Sequence, residues 1–173
     1  NEYFGGGMNS IVFQEMREAR GLAYSALGRL LEPEHKDDCY KYFAFIATQN
    51  DKMQTAIEAF DEIINDMPES ETAFSIAKES LTTQYRTERI TGRSILRSYK
   101  TDREMGINES RSKKIYENLS HLTLEDIKNT QKKWVEGRTY SYGILGDIES
   151  IDTKYLKTLG PVEILTLEDI FGY

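Results

Sequence analysis

The chain has one cysteine in 173 residues, Cys39, so no internal disulfide holds it together. A catalytic thiol needs a partner base. His35 lies four residues away, but within Glu32-Pro-Glu-His-Lys-Asp-Asp38, which reads as the charged tip of a hairpin; Cys39 is better taken as a half-buried small residue where a strand begins. Histidine is nearly as scarce. His35 and His121 stand far apart, and neither has a second histidine at helical spacing, so the chain has no ligand pair of the kind that builds a catalytic zinc site. Only three prolines are present, at 33, 68 and 161, and no Pro/Gly/Ser-rich linker divides the sequence. No stretch reaches the apolar length of a membrane span, and none has the pattern of a signal peptide. Basic excess is missing too: 29 acidic residues face 22 basic ones, for a net charge of -7. Nucleic acid is therefore not an expected partner, and the short run Arg111-Ser-Lys-Lys114 reads as a solvated helix face.

What remains is enough for one folded unit, since 39% hydrophobic content in a chain of this length builds a buried core. Asn9 and Ser10 are good helix N-caps. Ile11, Val12, Phe13 and Met16 then set an apolar face at helical spacing, opposite Gln14, Glu15, Arg17 and Glu18. Gly21 ends that helix. Leu22 to Leu31 and Cys39 to Thr48 read as two strands of an antiparallel hairpin, and its turn, Glu32 to Asp38, is expected to be exposed and mobile. Asp51 is expected to cap a helix reaching Met67, with Met53, Ile57, Phe60, Ile63 and Ile64 along one face and Pro68 as its stop.

Helices are also expected over Glu69 to Arg89, then, after a break at Gly92, through Ser94, Leu96, Tyr99 and Met105, over Ser110 to Leu119, and from Thr123 to Val135. Strands are expected over Thr139 to Leu145 and Val162 to Leu165, with a short helix between them near Ile151 to Thr158. The order predicts an α+β fold, a mainly antiparallel sheet with helices packed on one face. The hexapeptide Leu-Thr-Leu-Glu-Asp-Ile occurs at 122 to 127 and again at 165 to 170. Two copies of six residues do not make a repeat architecture, and they read as one capping solution used twice.

The opening Tyr3-Phe-Gly-Gly-Gly-Met-Asn-Ser, followed by Phe13-Gln-Glu and Arg17-Glu-Ala-Arg-Gly-Leu-Ala-Tyr-Ser25, resembles the second-domain signature of the insulinase, pitrilysin and mitochondrial processing peptidase family of zinc metallopeptidases. Thr123-Leu-Glu-Asp-Ile127, Tyr140-Ser-Tyr-Gly-Ile-Leu-Gly-Asp147 and Leu159-Gly-Pro-Val-Glu-Ile164 are similar to that domain's ending, in the same order. The resemblance implies a non-catalytic, substrate-clamping domain. Its partners would be a peptide substrate and a catalytic domain, in the same polypeptide or in a partner subunit, and zinc would sit in that catalytic domain. It also implies that an Arg and a Tyr separated by six residues reach the substrate, here Arg17 and Tyr24. Arg20 competes for the arginine role, but only three residues separate it from Tyr24.

The resemblance further implies a first strand ahead of the glycine loop, whereas this sequence opens at Asn1 without an initiator Met, so residues 1–173 read as a single domain, a piece of a longer peptidase. Alone, the chain lacks His-x-x-Glu-His and is expected to bind no zinc and hydrolyse no peptide. In a bacterium such a protein would be soluble, in periplasm or cytoplasm. Two other readings compete. One is a catalytically silent scaffold or interaction domain of the same family, with Arg17 and Tyr24 vestigial. The other is a small-molecule binding protein using the loop Gly5-Gly-Gly7, although that loop lacks a P-loop or G-x-G-x-x-G frame and reads more simply as a place of close backbone approach.

Overall fold

A computed structural model of the chain describes residues 1–89 and 91–173. The first helix, α1, spans Ile11–Phe13 and continues without a break into a π-helical turn, Gln14–Ala19. Strands β1, Ser25–Leu31, and β2, Lys41–Ala47, follow. A 3-10 turn, Asn50–Lys52, leads into α2, Met53–Asn65, and then come α3, Glu71–Thr87, α4, Gly92–Glu104, α5, Arg111–Leu119, and α6, Leu124–Trp134. Two short helices, α7 at Thr153–Leu159 and α8 at Leu167–Phe171, complete the order. The fold is α+β, as the order of elements predicts.

Amphipathic patterning places the core where the sequence suggests. Ile57, Phe60, Ile63 and Ile64 of α2 are buried together with Met53, and Ala56 and Ala59 fill the same face. Ile11, Val12 and Met16 from the first helix and Ala26 from β1 pack into one cluster with Phe60 and Ile63. Ser10 caps α1 from a buried position, its Oγ accepting from Phe13 N at 3.4 Å and donating to Gly7 O at 2.6 Å.

The hairpin pairs Ser25 with Ala47 through Leu31 with Lys41. Alternation sends Ala26 and Gly28 inward, while Arg29 and Leu31 are exposed beside the half-exposed Phe43 and Phe45 on the facing strand. The residues from Asn1 to Gly5 run along the other edge of β1. The Asn1 side chain brackets Leu30, donating to its carbonyl at 3.0 Å and accepting from its N–H at 2.7 Å, and Gly28 N donates to Gly5 O at 3.4 Å. Tyr3 pins the same segment to the α2–α3 junction, its hydroxyl donating to Pro68 O at 2.9 Å and accepting from Ser70 N at 3.1 Å.

Several sequence expectations need correction. The sheet has two strands among the described residues, so Thr139 to Leu145 and Val162 to Leu165 are not strands. Strand propensity reports how well a side chain fits a pleated surface, and a strand forms only where a neighbouring edge accepts its hydrogen bonds. Residues 139 to 145 are held instead by side chains: Tyr140 Oη donates to Val135 O at 2.7 Å, and Tyr142 Oη donates to Asp61 at 3.1 Å. β1 begins at Ser25, not Leu22, because Leu22 and Ala23 use their N–H groups to close the preceding turn. Asp51 makes no cap among the described residues; it lies inside the 3-10 turn ahead of α2. Cys39 is exposed. The hairpin turn is exposed, as expected, but its tip is tied down: Arg111 pairs with Glu32, and Lys36 N donates to Glu104 O at 3.2 Å.

The duplicated hexapeptide builds the same structure twice. Thr123 and Asp126 form a reciprocal capping box at the start of α6, and Thr166 and Asp169 form its copy at α8. Both carboxyls are held below the usual aspartate range by hydrogen bonds from the threonine side chain and backbone. A lowered folded-state pKa means that the contribution of these caps is complete above about pH 4, the unfolded aspartate value, and is lost as pH falls through the folded values. Carboxyl-detected NMR titration should therefore show Asp126 and Asp169 protonating below the ordinary aspartate value, and Thr123→Ala should bring Asp126 back toward it.

Candidate functional site

The site is built by one backbone carbonyl. Met16 is fully buried, and its carbonyl accepts from both Leu22 N, at 2.9 Å, and Ala23 N, at 3.3 Å. These two bonds bring residues 22 and 23 back onto residue 16, and Arg17 and Tyr24, each the residue that follows a bonded one, lie side by side. The π-turn supplies the wider radius: Arg20 N reaches back five residues to Glu15 O at 3.2 Å. Such turns are rare and recur at functional sites. Gly21 then reverses the chain at φ +57°, a conformation that favours glycine. Three further bonds hold the corner: Tyr24 N to Ala47 O at 2.8 Å, Thr48 Oγ1 to Leu22 O at 2.6 Å, and Lys52 Nζ to Gly21 O at 3.3 Å.

On this frame the Arg17 guanidinium lies 5.7 Å from the centre of the Tyr24 ring and 5.0 Å from the centre of the Phe13 ring. Two aromatic faces thus orient one cation, each worth about 0.5–1 kcal/mol at an exposed position. Its ion pair with Glu18, at 3.6 Å with both partners exposed, adds little. Tyr24 is 82% exposed, and its hydroxyl has no hydrogen-bond partner among the described residues. The arrangement presents an arginine fork and a phenol donor on one accessible surface, a pairing suited to carbonyl or carboxylate oxygens.

Arg20 is differently placed. Its guanidinium binds Glu62 of α2 at 2.8 Å and lies 3.6 Å from Glu15, so it ties the π-turn to α2. The hydrogen bond to Glu62 raises the Arg20 pKa, and Arg20 in turn lowers that of Glu62. Sequence spacing alone left Phe13 in the apolar face and missed its second role under Arg17, although the i, i+4 relation was there to be read.

The histidines lie apart. His35 contacts Asp38 at 3.2 Å in the exposed hairpin turn, and His121 is exposed in the loop after α5. Among the described residues no three His, Cys, Asp or Glu side chains converge on a point that could hold a metal ion. The glycine loop has a packing explanation: a Cβ on Gly5 would sit 2.3 Å from Gly28 O and 2.4 Å from Gly28 N. No helix among the described residues is long and apolar enough to cross a membrane.

No family model and no curated protein matches the chain. Among solved structures it is similar to the crystal structure of a peptidase M16 inactive domain from Pseudomonas fluorescens, with a TM-score of 0.60 and 19% identity over 77% of this chain. The match covers 32% of that protein, so the chain spans about a third of its length. The likeness is one of fold.

Proposed function

We propose that this chain is the non-catalytic, peptide-holding domain of a longer zinc metallopeptidase of the insulinase and pitrilysin type, with Arg17 and Tyr24 as the residues that reach the peptide. The observation that carries the reading is the emergence of these two side chains together from the Met16 carbonyl loop, both exposed, while Arg20 is committed to Glu62. The fold of the Pseudomonas fluorescens inactive domain supports the same context. On this reading zinc and the general base belong to the partner catalytic domain, in cis or in trans, and this chain positions the peptide and donates hydrogen bonds.

Arg17 would take peptide carbonyl or carboxylate oxygens in a bidentate grip, and the Tyr24 hydroxyl would donate to the oxygen that gains negative charge as the amide is attacked. Comparing two arginines in the complete peptidase tests the assignment. Arg17→Ala should raise KM for peptide about tenfold or more with little change in thermal stability, because the side chain is exposed and its ion pair weak. Arg20→Ala should lower stability through loss of the Glu62 tie and leave KM within about twofold. Peptide kinetics in which Arg20→Ala has the larger effect would overturn the reading.

A further inference from the structure

Although the chain carries a net charge of -7, α4 runs against it, with Arg93, Arg97, Lys100 and Arg103 opposed by Asp102 and Glu104. Asp102 is engaged by Arg111 of α5 at 3.3 Å, and Glu104 lies 3.6 Å from Lys100. Arg97 and Arg103 have no carboxylate partner among the described residues; Arg103 instead lies over the Tyr99 ring at 5.3 Å. Between these cations Ile95, Leu96 and Tyr99 are exposed, Leu96 to 75%. A basic helix with an uncovered apolar face is a docking surface in search of an acidic, apolar partner.

That chemistry is present at the other end of the same chain. Leu159 to Tyr173 contains no Lys or Arg but has Glu163, Glu168 and Asp169. On α8 Leu167, Ile170 and Phe171 share one face at i, i+3, i+4 spacing and are all exposed, Leu167 to 70%. Asp169 stays ionised through its capping box, so the acidic character persists well below neutral pH. Within one chain neither surface covers the other, since both are open.

We propose that α4 of one copy receives the α8 segment of a second copy, and that the exchange is reciprocal, giving a two-fold dimer with two equivalent contacts. Two-fold symmetry satisfies both surfaces at once, because each chain supplies one basic helix face and one acidic segment. Leu96 and Tyr99 meet Leu167 and Phe171 at the centre, and Arg97 faces Glu168 at the rim, where opposite charge sets orientation.

Sedimentation equilibrium on the complete protein tests this. The expected result is a reversible monomer–dimer equilibrium below about 100 μM that weakens as salt rises, the mark of charge-assisted contact. Arg97→Glu and Glu168→Arg should each raise the dimer dissociation constant about tenfold, and circular dichroism should show both folded. Combining the two in one chain should restore the dimer, and so should mixing the two single variants, because each contact then pairs opposite charges again. A chain that stays monomeric, a dimer indifferent to these substitutions, failure of the mixture to recover, or preferential binding of the Arg97-bearing chain to phosphatidylserine vesicles would each overturn the proposal.

Discussion

Replacing Tyr24 by Phe in the complete peptidase is expected to leave stability unchanged and to lower kcat/KM by roughly two orders of magnitude. Stability should hold because the substitution removes only a hydroxyl, and that hydroxyl is exposed and bonded to nothing among the described residues. The ring stays, and with it the 5.7 Å contact that orients Arg17. Activity should fall because a donor aimed at developing negative charge acts in the transition state more than in the ground state, and losing one costs about 3 kcal/mol there. The loss should appear in kcat, with KM changed little, which separates it from the KM effect expected of Arg17→Ala. Equal kinetics for Tyr24→Phe and the parent enzyme would leave Tyr24 as a platform for Arg17 and remove the phenol from the chemistry.

How much of this was legible in the sequence depended on distance along the chain. Ser10, Gly21, Thr123 and Thr166 act within a few residues of themselves, and each does what its residue type predicts at that position. The apolar stripe of α2 likewise needs only helical spacing. By contrast, Glu62 as the partner of Arg20 lies 42 residues away, and nothing local marks it. The π-turn leaves no trace in composition because it is a register of backbone bonds. Residues 139 to 145 have every local sign of a strand yet form none, since pairing is a property of two segments. The hairpin tip follows the same rule. Its charge predicts exposure correctly, but only the arrival of α4 and α5 supplies the Glu104 carbonyl and Arg111 that anchor it.

Gly5→Ala is expected to destabilise the fold by about 3 kcal/mol, at the upper end of what overpacking costs. The new Cβ would sit 2.3, 2.4 and 2.7 Å from the carbonyl oxygen, nitrogen and α-carbon of Gly28. All three are backbone atoms, so no side chain can rotate away, and relief requires the Asn1–Gly5 segment to lift from β1. Lifting would break the Gly28 N to Gly5 O bond and strain the bracket that Asn1 makes on Leu30. It would also pull on Phe4, which packs its ring 6.3 Å from that of Tyr42. Gly7 supplies the control within the same loop, because a Cβ there would meet nothing within 4 Å, and Gly7→Ala should change stability by less than about 0.5 kcal/mol. Urea denaturation of the two variants discriminates between explanations of the glycine run. If the loop needed glycine for flexibility or to wrap an anion, Gly7→Ala would hurt as much as Gly5→Ala; if close approach to β1 is the reason, only Gly5→Ala does, and an equal loss in both would sink that account.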